Sequence, residues 1–313
     1  MKHCDALNEA LHELLAEDPL ALVIGEDIAD PYGGAFKVTR GLSSRFEKRV
    51  ISTPISEAAM MGVANGLAIK GMRPIVEIMF GDFSTLIIDQ LLNHCLKFPW
   101  LNGQQKGLNV TLRLPMGGGR GYGATHSQSL EKYFFGMPLL SVVAPNSLSC
   151  AKTLLKNAYW HDTSVAFIEH KKLYPLQQGK LSDEYEDLFD WSHSDGKFVD
   201  TLITSVDSSG PKLTLLTYGY QLFMCLEVAK RLLFEYELDV EIVLVTHVNQ
   251  LDWPFLQESI QRTGRLLVVE EGSAGFNWGS EVICHCVEEG FHFKSAPKRI
   301  GALAQPLAAS RAL

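Results

Sequence analysis

The sequence has few cysteines, no surplus of positive charge and no long apolar run. Its 313 residues carry 28 Lys and Arg against 36 Asp and Glu, a formal net charge of -8. A general nucleic-acid binder needs a basic face, so that class is excluded as a leading reading. No apolar stretch reaches the roughly 18 residues of a membrane span. The N-terminus, MKHCDALNEALHELLAEDP, mixes acids into an amphipathic pattern and lacks the uninterrupted apolar core of a secretory signal. The six cysteines (Cys4, Cys95, Cys150, Cys225, Cys284, Cys286) are scattered and read as reduced thiols of a cytoplasmic protein. Cys284-His285-Cys286 lies in the helical pattern SEVICHCVEEG, where residues two apart point to different faces. With no second ligand pair at finger-like spacing, no metal site is expected there. Internal repeats and low-complexity tracts are also missing.

What is present is the balance of a soluble globular protein: 46% hydrophobic and 20% charged residues. The length suits two domains, with cores large enough to need no disulfide. Short apolar runs such as ALVIGED, RPIVEIMF, NVTLRLP, SVVAP and SVAFIEH alternate with helical patterns such as SEAAMMGVANGLAIKG, STLIIDQLLNHCLKF and SLSCAKTLLKNAYW. Pro115 is expected to stop the NVTLRLP strand, and Gly71 to close the SEAAMMG helix. The pattern predicts an α/β chain of two domains, each a mostly parallel sheet covered by helices. The first spans 1–175. A polar, acidic stretch over 176–211 reads as a linker. Alternation resumes over 212–313 through KLTLLTYG, DVEIVLV and RLLVVEEG.

The segment LRLPMGGGRGYGATHSQS invites a phosphate-binding reading. Gly119 to Ala124 matches the relaxed pattern G-x-G-x-x-A, but that motif needs a strand running directly into a helix. Here Pro115 and further glycines intervene, the next helix is expected only near Ser127 or Ser129, and no acid follows about 20 residues on. There is no G-x-x-x-x-G-K-[ST]. The stretch reads instead as a flexible site loop whose glycines let the backbone turn and pack closely.

Three places could carry chemistry. Glu57 follows Ser56 where a helix should begin, so capping and the helix dipole explain both residues. Yet the helix that follows is nearly all Ala, Met, Gly and Val, and a carboxylate entering a buried helix needs a partner, for which a ligand is one candidate. Phe80 and Phe83 bracket a strand end in EIMFGDFST; they serve either as core or as an exposed stacking ring beyond a parallel strand. His126, in a polar tripeptide after the glycine loop, is either a solvated histidine or a proton-transfer group.

In chain order, GEDIADPYGGAFKVTRGLSSRF, TPISEAAMMGVANGLAIKGMRPIVEIMFGDF, DQLLNHCLKF, THSQS, AKTLLKNAYW, AFIEHKKLYP, LTLLTYG, TGRLLVVEE and PLAASRAL resemble the beta subunits of thiamine-diphosphate-dependent 2-oxoacid dehydrogenases, of the transketolase-like superfamily. TPIS and EIMF are closer to the pyruvate branch than to the branched-chain branch. The resemblance implies a pyrimidine-binding domain followed by a transketolase C-terminal-type domain. It implies that Glu57 bonds a ring nitrogen of the cofactor's aminopyrimidine and favours the imino tautomer that activates the thiazolium. It places Phe83 against that ring, with Ile55 and Met79 lining the pocket, and gives His126 proton handling and the reductive acylation of lipoyl groups. A structural potassium ion near Thr111 and Asp162 is implied as well.

The superfamily holds the cofactor's diphosphate through Mg2+ with a G-D-G followed by Asn, and this chain has no G-D-G. The resemblance therefore implies an alpha subunit that supplies the metal half, an alpha2-beta2 heterotetramer, and a lipoyl-bearing acyltransferase as acyl acceptor. Departures occur at Val245-Thr246-His247, at Glu270-Glu271-Gly272, in the loop His161-Asp162-Thr163 and at the end, Ala312-Leu313. They suggest an altered assembly or partner surface. Two other functions stay open at this point: a diverged carboligase pair using the same cofactor, and a scaffold subunit without catalysis.

Overall fold

The computed structural model describes residues 1–104, 107–206, 208 and 210–307. The last six residues of the PLAASRAL block lie outside that set. The first domain contains α1 (His3–Glu17), β1 (Ala21–Glu26), α2 (Leu42–Arg45), β2 (Val50–Thr53), α3 (Glu57–Ile69) and β3 (Arg73–Glu77). It continues with α4 (Lys97–Leu101), β4 (Thr111–Met116), α5 (Lys132–Phe135), β5 (Leu140–Val143), α6 (Ala151–Tyr159) and β6 (Ser164–His170). All neighbouring strands are parallel in the order β2-β1-β3-β4-β6-β5. β1, β4, β5 and β6 are buried along their whole length, as strands covered on both faces must be. The chain leaves β1 to opposite sides for β2 and β3, so their carboxyl ends form the crevice where open α/β sheets bind ligands.

Two expectations are corrected here. β4 runs through Pro115 to Met116 rather than stopping at the proline. Its pairing with β3 ends at Arg113, while its pairing with β6 continues to Met116, so the missing N–H costs no ladder bond with β3. The apolar pattern over 84–98 does not fold as one α-helix. A 3-10 helix (Gly81–Ile87) and a π-helix (Gln90–Leu96) precede α4, irregular windings of the kind that collect at functional sites. Gly71 takes φ 88° just after α3, the left-handed stop expected of it.

The second domain holds α7 (Asp183–Glu186), β7 (Phe189–His193), β8 (Thr201–Ser205), β9 (Thr214–Tyr218), α8 (Leu222–Tyr236) and β10 (Glu241–Val245). It ends with α9 (Trp253–Thr263), β11 (Leu266–Ser273), α10 (Trp278–Glu288) and β12 (Lys298–Ala302). Its sheet runs β12-β11-β9-β10-β8-β7, parallel except for β8 and β7 at one edge. The stretch 176–211 is thus more than a linker. Its β8 lies antiparallel on β10 and buries Thr201, Ile203 and Ser205, with Leu202 and Thr204 half-buried between them. Two of its three buried positions are hydroxyl residues, so the strand lacks the apolar run that marks the others.

The domains are stitched together. Thr246 and Val248 pair with the free edge of β5, through Ala144 N–H to Thr246 O at 2.9 Å and Val248 N–H to Val142 O at 2.8 Å. Asn249 bonds both Val142 N and Leu140 O at 2.8 Å. One apolar cluster runs from Leu112 and Val142 through Leu216, Val243 and Trp278. The departures at 245–247 and 270–272 therefore sit at an internal seam; Thr246 and Glu270 are buried within this chain. No helix among the described residues is long and apolar enough to cross a membrane.

Candidate active site

Glu26, Thr53, Glu77 and Met116 end four parallel strands, and the candidate residues follow directly from those ends. Glu57 is the first residue of α3 and only 5% exposed. Ser56 stands at the cap position, but its side chain caps nothing; its N–H donates instead to Glu26 Oε1 at 3.2 Å. The capping account of Ser56 therefore fails. Glu57 itself makes no side-chain hydrogen bond or ion pair among the described residues, and its nearest charged company is Glu26, itself 3% exposed. Burial, and then the Glu57 carboxylate, push the Glu26 carboxyl above its ordinary range. Two buried acids share the crevice with no cation, which is a costly arrangement unless something else occupies it.

Phe83 sits on the 3-10 helix that packs against α3, half-buried. Its ring meets His126 edge-on at 5.2 Å and Phe80 at 6.3 Å, and His126 meets Phe80 at 4.6 Å. Tyr122 and Phe36 complete the cluster around Phe80 at 5.7 and 5.5 Å. Both rings of EIMFGDF, Phe80 as well as Phe83, thus stand against His126. Met79 is half-buried at the strand end, whereas Ile55 is 81% exposed.

His126 is held by its own loop. Its Nδ1 lies 3.0 Å from Thr125 Oγ1, and its N–H donates to Gly123 O at 3.3 Å. Gly117, Gly119, Gly121 and Gly123 all take positive φ, conformations that strain other residues. No helix begins at Ser127 or Ser129; α5 starts only at Lys132. The reading of this stretch as a site loop rather than a phosphate cradle agrees with that geometry, because no helix N-terminus faces the glycines.

Sequence reasoning missed two residues. Lys171, fully buried after β6, donates to the His126 carbonyl at 2.5 Å and lies over the Phe80 ring at 5.5 Å. Burial pulls its ammonium down to about 8, against the opposing carboxylates Asp82 and Glu271. Glu26 was visible only as an acid ending a buried strand. Both lie in blocks that carry the family resemblance, GEDIADPYGGAFKVTRGLSSRF and AFIEHKKLYP, but neither stands out within them; both become meaningful once the strand ends converge.

Beneath the site, Arg113 is fully buried between two acids. It makes a bidentate pair with Glu169 at 2.7 Å on each arm and also bonds Glu77. Tyr174 donates to the same Glu169 at 2.7 Å. Against the desolvation of burial, Glu169 and Glu77 hold the guanidinium firmly protonated.

Thr111 opens β4, where its hydroxyl is buried without a hydrogen-bond partner. Asp162 lies exposed in the loop before β6. Among the described residues, no cluster of three or more His, Cys, Asp or Glu could hold a metal ion.

A two-domain chain whose buried acid and aromatic rings converge at the switch point of a parallel sheet is a pyrimidine-binding unit of the transketolase type. The family model "Transketolase, pyrimidine binding domain" matches residues 1–177, and "Transketolase, C-terminal domain" matches 204–312. The "Pyruvate dehydrogenase E1 component subunit beta, mitochondrial" of Chaetomium thermophilum is 33% identical over 298 residues, covering 94% of this chain and 75% of that one. The "Acetoin:2,6-dichlorophenolindophenol oxidoreductase subunit beta" of Cupriavidus necator is 33% identical over 295 residues, covering 91% and 83%. A solved structure described as "Split gene transketolase, inactive beta4 tetramer" shares the fold with a TM-score of 0.73 at 22% identity, over 99% of this chain and 91% of that one. The chain belongs to the family of beta subunits of 2-oxoacid dehydrogenases, whose members are thiamine-diphosphate enzymes.

Proposed function

We propose that this chain is the aminopyrimidine-binding half of a thiamine-diphosphate-dependent 2-oxoacid dehydrogenase, active only with an alpha subunit in an alpha2-beta2 assembly. The observation that carries the reading is Glu57: a buried carboxylate on the first turn of α3 with no hydrogen-bond or ion-pair partner among the described residues, facing a second buried acid. A neutral ring nitrogen that shares a proton with Glu57 gives that carboxyl the hydrogen bond it lacks and relieves the repulsion with Glu26. The residues fit the cofactor's pyrimidine ring. Glu57 would hold it, Phe83 would stack on it and exclude water, and Met79 and Ile55 would line its edge.

When bound, the cofactor supplies an electron sink for the carbon left after a 2-oxoacid loses carbon dioxide. This chain's residues orient it and move protons. Glu57 would hold a proton at the ring nitrogen. His126, gripped edge-on by Phe80 and Phe83, offers Nε2 as donor or acceptor to the substrate side, while Thr125 contacts Nδ1. The described residues offer no acidic cage for Mg2+, and the chain has no G-D-G, so we assign the diphosphate and its Mg2+ to the alpha subunit. The favoured substrate is a pyruvate-like acid, in line with the names its relatives carry, and the acceptor proposed from the family resemblance is a lipoyl-bearing acyltransferase. Thr111 and the loop with Asp162 are proposed as part of a structural potassium site, for which the unpartnered Thr111 hydroxyl is a ready oxygen donor. A higher Tm in KCl than in NaCl supports that site; equal values reject it. Scattered free cysteines favour a reducing compartment such as the cytoplasm.

The test is reconstitution with the alpha subunit, followed by decarboxylation of pyruvate, acetoin cleavage and branched-chain acids measured side by side. Turnover of pyruvate with transfer to a lipoyl domain is expected. Turnover only of acetoin moves the substrate, and none at all with bound cofactor rejects the dehydrogenase reading.

A further inference from the structure

The loop that carries His126 is built by the first domain, whose Lys171 and Asp82 bond it, and is anchored at two further points by the second. Residues 117–129 form neither helix nor strand, and four of their glycines adopt positive φ. Such a segment is costly to order, so its placement depends on what grips it. At its start, Gly118 N–H donates to Glu271 Oε1 at 2.9 Å. Near its end, Gln128 pairs with the main chain of Leu307, with Nε2 donating to O at 3.3 Å and Leu307 N–H donating to Oε1 at 3.1 Å. His126 lies between the two posts.

Glu271 is the better built of them. It is 16% exposed and comes from β11, a strand of the second sheet. While one of its oxygens takes the Gly118 N–H, the other lies 2.8 Å from His170 Nε2. The His170 ring stacks on Tyr220 of the second domain at 4.6 Å. It also lies against Gly117, where any Cβ would fall 2.1 Å from Nε2. His170 immediately precedes Lys171, whose ammonium holds the His126 carbonyl. One carboxylate thus connects the loop's root, the end of β6 and the second domain.

We propose that Glu271 is a positioning residue for His126: it fixes the loop so that the imidazole stays seated against Phe80 and Phe83, and it makes that seating depend on how the second domain sits on the first. The proposal rests on the role given to His126 above; Glu271 itself touches none of the reacting groups.

The test uses Glu271→Gln and Glu271→Ala in the full chain, reconstituted with the alpha subunit. Amide exchange over 117–129 is read by mass spectrometry, alongside kcat and KM. For Glu271→Ala, exchange in the loop should rise about tenfold, the scale of one lost charge-assisted hydrogen bond, with β4 and β6 unchanged. The kcat for acyl transfer should fall about tenfold with KM for the 2-oxoacid unaltered. Glu271→Gln keeps an oxygen for Gly118 N–H and should recover part of both losses. Loop exchange indistinguishable from the parent in both variants overturns the proposal, as does a loss that spreads evenly over the whole second domain. Should the alanine variant not fold, the glutamine variant decides: severalfold faster exchange confined to the loop supports the proposal, and none rejects it. His126→Ala separates this from the functional reading, since a fully active His126→Ala enzyme refutes the role of His126 while the exchange data still report whether Glu271 holds the loop.

Discussion

Two groups of buried acids lie near the ends of neighbouring strands in the first domain, and they are solved in opposite ways. Glu77 and Glu169 flank Arg113, which bonds both, and Tyr174 takes a further lone pair. One guanidinium inside the chain serves both carboxylates. Among the described residues Glu26 and Glu57 have no cation; they repel each other, and only a backbone N–H from Ser56 meets either of them. The first group is a finished structural joint between β3, β4 and β6. The second is finished only by something the chain does not contain. The contrast separates two kinds of buried charge. A compensated cluster reports on the fold, whereas an uncompensated one at the carboxyl end of a parallel sheet reports on a ligand.

That comparison breaks first at Arg113. Arg113→Met leaves two buried acids facing each other and should cost about 3–5 kcal/mol of stability, read from urea unfolding of the chain. A loss below about 1 kcal/mol would show that the joint is not needed for the fold. Glu57→Gln should behave in reverse. Turnover of the reconstituted enzyme should fall about 100-fold or more, the scale of a lost proton-transfer group, while the unfolding midpoint moves little because a repulsion with Glu26 is relieved. A variant that unfolds early but turns over normally would make Glu57 structural after all. His126→Ala should lower acyl transfer by about ten- to a hundredfold, with the circular dichroism spectrum and melting curve unchanged.

The smallest effect is a matter of pH. Burial, reinforced by Glu271, pushes the Glu131 carboxyl up to about 7, and burial alone pushes Glu270 to about 7 despite the Gly279 N–H. Folded-state pKa values above the unfolded one mean that the native chain binds protons more tightly. The stability these groups contribute is complete below about 4.5 and declines as pH rises toward 7. Glu131→Gln should flatten that decline in denaturation series taken across this range. An equally steep slope in the variant would assign it to other groups.

Most of the fold could be read from the alternation of apolar runs and helical patterns, because a parallel sheet buried on both faces leaves continuous hydrophobic strands. Where the pattern was polar, the reading lost two strands. β7 at the sheet edge exposes Asp190, Ser192 and His193, and β8 buries the hydroxyl residues Thr201 and Ser205, so their composition resembles a linker. Pro115 misled because a proline's cost depends on the neighbour strand, and β3 ends its pairing at Arg113. The site was legible where several residues of a motif stand together, as in TPISEAA and THSQS. It was not legible at Glu26, Lys171 or Glu271. Each is an ordinary charged residue in the sequence and acquires meaning only through partners 30, 45 and 153 positions away.

The claim at the centre is that this chain carries half a site. The most direct measurement is calorimetric binding of thiamine diphosphate with Mg2+ to the chain alone, to the chain with its alpha subunit, and to the same pair carrying Glu57→Gln. The expected result is no measurable binding by the chain alone, clear binding by the pair, and binding weakened or catalytically silent in the variant. Tight binding by the isolated chain, or a variant pair that binds and decarboxylates like the parent, would contradict it.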